Sequence, residues 1–249
     1  MPDVYRVNAY NTASESENRI HADDVAKDFG FRGGLVPGVD VYAYMAHLPA
    51  ARWGLGWLEA GVMQARFAKP VYDGEWVTVE MSDTTEADGA STADISVRDE
   101  RGDVCAIGSA GMPAGPVPDL DPDLYPRAPL PENPPPASAA ALLAADPMGS
   151  LEGGFHLEHA PSYLDEVRET LPIYLEEGIA HPGWLLRTAN FLLATNVVLG
   201  PWIHTESKAR HLGLVHDDSG GHHPADGHSH LPRDGRGRSG DCDPRHGHG

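Results

Sequence analysis

Two periods organise the first half of the chain. Between residues 37 and 52, apolar positions recur at helical spacing: Val41, Tyr44, Met45 and Leu48 share a face, and Tyr42, Ala43 and Ala46 widen it. This predicts a helix from about Val39 to near Arg52, enclosed by protein on most sides. After Trp57 the period becomes two. Residues 62–68, 76–81, 93–98 and 104–110 each alternate, separated by turns at Asp73-Gly74, Asp88-Gly89 and Arg101-Gly102-Asp103. They predict four strands in a meander, and residues 4–11 predict a lead-in strand ahead of the helix. A sheet with one apolar face and a helix apolar almost all round bury each other when the sheet wraps the helix, an α+β arrangement.

Residues 114–150 read as a spacer. Pro116, Pro118, Pro122, Pro126, Pro129, Pro131 and the run Pro134-Pro135-Pro136 remove backbone donors and favour extended chain. The pattern then restarts. His181-Pro182-Gly183-Trp184 resembles Val36-Pro37-Gly38-Val39, and a second apolar helix is expected over 185–199. Ala209-Arg210 matches Ala65-Arg66, and Val215-His216-Asp217 matches Val71-Tyr72-Asp73. These landmarks, at offsets of 144 to 145, imply an internal duplication. The second copy stops short: from 218 the chain is rich in Gly, His, Asp and Arg and has almost no apolar residues. The expected organisation is a first domain over 1–113, the spacer, a partial second domain over 151–217 and a disordered tail over 218–249. A shift of reading frame near Asp217 would account for that tail.

Composition narrows the partners. The 249 residues carry a net charge of −19, which argues against nucleic acid and anionic membrane surfaces. No apolar run is long enough to cross a bilayer, and the N-terminus has no signal-peptide pattern. Cys105 and Cys242 are far apart, which suits a reduced, cytoplasmic setting. The tail histidines offer no ordered ligand geometry, so neither a metal nor another cofactor is expected.

The candidate chemistry lies just ahead of the first long helix. Ser16-Glu17-Asn18-Arg19-Ile20-His21 is followed by a short helical stretch, Gly30-Phe31 and Val36-Pro37-Gly38. Read alone, His21 and Asn18 are first of all a loop pair, with the histidine capping the next helix or hydrogen-bonding across the domain interface. The stretch resembles the signature of the MaoC-like acyl-thioester hydratases and dehydratases: Asp-x-Asn-Pro-aliphatic-His, a helix, a Gly-Phe turn, and a glycine opening the central helix. Ser16 stands where the family has its aspartate, and Arg19 where it has proline. The resemblance implies a duplicated hotdog fold with the second copy incomplete, and the activity of a hydro-lyase like enoyl-CoA hydratase 2, adding or removing water at the 2,3 position of an acyl-CoA or acyl-carrier thioester.

By the same resemblance, His21 is the acid/base, Asn18 positions the loop or the water, and the backbone at Gly38 binds the thioester carbonyl. Val36, Pro37 and Phe31 line the substrate, and Glu17 is the nearest carboxylate to the position Ser16 occupies. Thioester hydrolysis and acyl-thioester binding without turnover are the alternatives. The second copy has Tyr163-Leu164-Asp165-Glu166 where the motif would fall, so at most one half is catalytic. Hotdog sheets associate edge to edge, which makes a homodimer an expected partner state.

Overall fold

The computed structural model describes residues 3–119 and 121–218. The polar tail expected over 218–249 therefore lies, beyond Asp218, outside the described residues. The elements in chain order are β1 (Asp3–Asn8), α1 (Asp23–Asp28), α2 (Gly38–Ala60), β2 (Val62–Phe67), β3 (Trp76–Met81), β4 (Thr85–Ala87), β5 (Ala90–Asp99) and β6 (Val104–Met112). They continue with α3 (Ala139–Ala144), α4 (Ala160–Glu166), α5 (Ile173–Glu176), α6 (Pro182–Asn196) and β7 (Glu206–Arg210).

All strand pairs are antiparallel, in the order β1-β3-β5-β6-β2-β7, with β4 hanging from β5. This corrects the expected meander. β2 pairs with β6, not with its sequence neighbour β3, and β1 pairs with β3. The period of two identified the strands; which edges meet depends on contacts far apart in sequence.

The alternation faces inward at Met63, Ala65, Val77, Val79, Met81, Ala93, Ile95, Val97 and Cys105, all buried against α2 in one core. α2 is buried on nearly all sides because the sheet covers one flank and α6 the other. Its expected end near Arg52 corresponds to a break at Gly54, where φ is 59°; helix then resumes to Ala60. Glycine takes that left-handed turn without the steric cost a Cβ would bring.

The duplication is visible in hydrogen bonding. Leu35 bridges Tyr72, and Ile179 bridges His216, both members displaced by 144 residues. Val36 N donates to Val71 O, as Ala180 N does to Val215 O. β2 and β7 pair about their own centre, Gln64 opposite Lys208 and Val62 opposite Arg210. A shift of 144 turns the pair Val62–Arg210 into the pair Glu206–Arg66, which is also present. The two copies are therefore related by a pseudo-twofold axis between Gln64 and Lys208, as in an isologous dimer. Among the described residues, β7 is the second copy's only strand, so the outer face of α6 leaves Leu185 and Phe191 exposed.

Candidate active site

The loop between β1 and α1 is pinned from three directions. Asn11 N donates to Asp73 Oδ1 at 2.8 Å, and Asn11 Nδ2 donates to the His21 carbonyl at 2.8 Å. Gly34 passes so close that a Cβ there would lie 2.0 Å from the His21 carbonyl oxygen. Its own N–H donates to Asp23 Oδ1 at 2.7 Å. Ile20 anchors the loop by packing with Ala26 and Leu35, and Phe31 packs against the same three.

His21 is held at both ring nitrogens. Nδ1 lies 2.6 Å from the Leu35 carbonyl, which can only accept, so Nδ1 carries the proton. Nε2 is then the basic atom and receives an N–H of Asn18 at 3.2 Å. Burial lowers the pKa of the imidazole from the ordinary 6.5; the Leu35 carbonyl and the charge of Asp40 oppose that shift. The result is a neutral imidazole of fixed tautomer.

Asn18 does more than touch His21. Its Nδ2 donates to Trp202 O at 2.9 Å and its Oδ1 accepts from Trp202 N at 3.2 Å. The side-chain amide thus copies a strand backbone and fastens the loop to the second copy. Ser16 donates its hydroxyl to the Asn18 carbonyl at 3.3 Å, and Glu17 is exposed. Gly38 opens α2 after Pro37, and the N–H groups of Asp40 and Val41 both bond the Pro37 carbonyl. The first two amides of the helix, Gly38 and Val39, lie beyond the reach of such bonds within the helix and form its positive end. Val36 serves the frame, its N–H tied to Val71 O at 2.9 Å. The loop thus brings Asn18 and His21 together near the start of α2, with Phe31 in the small core beneath and Glu17 outside. A hollow of about 720 Å³ on the outer sheet face, lined by Gln64, Arg66, Asp94, Ser96 and Ile107 among others, contains none of them.

Two buried polar networks escaped the sequence reading. Asp40, fully buried in the first turn of α2, accepts from Arg187 at 2.7 Å and from Thr12 Oγ1 at 2.6 Å; Arg187 also reaches Glu166 at 2.8 Å. Burial pushes the Asp40 carboxyl upward, and Arg187 and Thr12 pull it back. Burial works against the Arg187 charge too, but Asp40 outweighs it and the guanidinium stays ionised. Nearby, Glu169 accepts from His47 Nδ1 at 2.7 Å and lies 3.5 Å from His181 Nε2. Burial raises its carboxyl, but the two imidazoles prevail and hold it down to about 2. Asp40, His47 and His181 sit at the contact of α2 with α6, where helical spacing alone gives no cross-helix partner.

Among the described residues, the second copy has no counterpart to the His21 pair. Tyr163 and Leu164 of α4 are buried there, as is Tyr174 of α5. His181 caps α6 by accepting from Gly183 N at 3.0 Å.

No family model matches the sequence, and no curated protein matches it. Among solved structures, a protein assigned to the MaoC domain dehydratases of Chloroflexus aurantiacus J-10-fl aligns with 87% of this chain and 77% of its own, at 15% identity and a TM-score of 0.53. An (R)-hydratase from A. caviae, involved in PHA biosynthesis, aligns over 46% of this chain and 96% of its own, at 20% identity and a TM-score of 0.36. An R-hydratase of Pseudomonas aeruginosa aligns over 49% and 88%, at 18% identity and a TM-score of 0.38. The first likeness spans both copies and establishes the fold.

Proposed function

We propose that this chain, a double hotdog with the fold of the MaoC-like dehydratases, is a hydro-lyase acting at the 2,3 position of an acyl thioester on coenzyme A or an acyl carrier. The observation that carries the reading is the fixed tautomer of His21. Its Nδ1–H is tied to the Leu35 carbonyl, which leaves a neutral, basic Nε2 beside the start of α2. Adding water across a conjugated double bond needs a base for the water and a donor for the oxygen that gains charge. His21 Nε2 supplies the base, exchanging the Asn18 N–H for a water hydrogen. The amide of Gly38, at the positive end of α2, supplies the donor.

Val36, Pro37 and Phe31 form the apolar surround in this reading, and Glu17, exposed, is outside the chemistry. Ser16 has no carboxylate to offer, and the second copy adds no second site. The reaction needs no metal or organic cofactor. A cytoplasmic setting suits the substrate class, and the pseudo-twofold already gives one chain the symmetry of a hotdog dimer.

The test is hydration of trans-2-enoyl-CoA substrates of short and medium chain, followed by loss of enoyl absorbance and, in parallel, by free-thiol release. Hydration that falls at least about a hundredfold in His21→Ala supports the reading. Thiol release without hydration moves the assignment to a thioesterase. Tight binding with neither leaves an acyl-thioester-binding protein.

A further inference from the structure

A second imidazole, brought by the other half of the chain, packs on the start of α2. His204 precedes β7 and packs directly on Gly38: a Cβ at Gly38 would lie 2.6 Å from the Cβ of His204. His204 Nε2 is 3.0 Å from the Glu206 carbonyl, which can only accept, so Nε2 carries the proton. Ser207 Oγ lies 2.7 Å from the same nitrogen. Nδ1 is therefore bare, and it is buried without a hydrogen-bond partner among the described residues. Burial lowers the pKa of the ring from 6.5 against the pull of the Glu206 carbonyl, so the bare nitrogen stays unprotonated.

The placement is fixed rather than incidental. The ring stands edge-on to Phe67, centroids 5.5 Å apart. Two residues earlier, Trp202 is gripped through N–H and C=O by Asn18, the residue that also contacts His21 Nε2. A single amide thus ties together the two segments that carry the two imidazoles.

We propose that His204 is a catalytic residue of the hydration step, its Nδ1 accepting one hydrogen of the attacking water while His21 Nε2 removes the other. The inference rests on the hydro-lyase reading above. As the water oxygen bonds to C3, its proton passes to His21 Nε2 and the C2–C3 π pair shifts to the thioester carbonyl oxygen at Gly38. The proton on His21 then goes to C2 as the carbonyl re-forms. The hydrogen bond to His204 passes from the water to the C3 hydroxyl, and no proton is transferred there. A water placed for attack has two hydrogens to satisfy, and Ser16 already spends its own hydroxyl hydrogen on the Asn18 carbonyl. His204 fills the acceptor role that a carboxylate at Ser16 would have filled.

The experiment compares wild type, His21→Ala, His204→Leu and His204→Gln in the enoyl-CoA hydration assay from pH 5 to 8, with folding of each variant checked by tryptophan fluorescence. With two neutral imidazoles required, the wild-type acid limb of kcat should steepen to a two-proton dependence. His204→Leu should lower kcat about a hundredfold with KM little changed and leave a one-proton limb. His204→Gln, which keeps an acceptor, should recover at least tenfold over His204→Leu. A His204→Leu enzyme with wild-type kcat and an unchanged limb overturns the proposal, even if His21→Ala is dead. Wild type without any hydration overturns the hydro-lyase reading and this inference with it.

Discussion

Arg187→Met puts the contact between the two copies to a quantitative test. Arg187 reaches from α6 to Asp40 at 2.7 Å; Asp40 is 0% exposed and Arg187 24%. At an effective dielectric of about 20 and a charge separation near 4 Å, the attraction is about 4 kcal/mol. Removing one partner of such a pair strands the other, at about 3–5 kcal/mol. The lost contact with Glu166, itself 38% exposed, adds at most about 1 kcal/mol. Thr12 still donates to Asp40 in the variant, so the expected loss at pH 8 is about 3–4 kcal/mol. Protonation relieves it. A stranded carboxyl has a folded-state pKa above its unfolded value, so the penalty is full at high pH and shrinks as pH falls. The relief is about 1.4 kcal/mol per pH unit on the way down to the ordinary carboxylate value. Urea unfolding followed by tryptophan fluorescence at pH 5 and 8 measures both numbers. Asp40→Asn combined with Arg187→Met removes the stranded charge and should recover most of the loss. A loss below 1 kcal/mol at pH 8, or one equal at both pH values, refutes the buried ion pair as the link between copies.

Two further outcomes follow from burial and close approach. His21, His204 and His211 all have pKa values lowered from 6.5, chiefly by burial, so each binds fewer protons folded than unfolded. Their contribution is full above pH 6.5 and lost below it, while Glu169 keeps its partners down to about pH 2. The thermal midpoint should therefore drop between pH 7.5 and 5.5, and His211→Gln should flatten that drop; an unchanged slope would count against the burial account. Gly34→Ala should cost about 1–3 kcal/mol or more, because its Cβ meets the His21 carbonyl oxygen at 2.0 Å, whereas Gly56→Ala, with its nearest neighbour at 3.8 Å, should be neutral or stabilising in chemical denaturation.

The elements and the repeat were legible in the chain because local chemistry sets them. The period of two in residues 62–110 and the apolar face of 41–48 gave the strands and the first long helix, and Val215-His216-Asp217 announced a second copy. The Asn18–His21 contact was legible too, since three residues along a tight turn suffice to bring an amide to an imidazole. Other features could not be read there. The pairing of β2 with β6 and β7 joins residues at least 39 positions apart in sequence, and a strand's pattern carries no address for its neighbour. Asp40 stands in the first turn of a helix, and its partner Arg187 lies 147 positions away. His204 sat in a segment with no motif; its one signal was that it stood five residues ahead of the Ala209-Arg210 repeat landmark.

What the sequence determined alone was the periodicity, the duplication and the loop that carries His21, because each depends on neighbours within a turn or a strand. What only the tertiary structure decided was the company that loop keeps. Asn18 grips the second copy, His204 covers the start of α2, and a buried ion pair joins the two long helices. Those contacts exist because the pseudo-twofold brings together surfaces that are far apart along the chain.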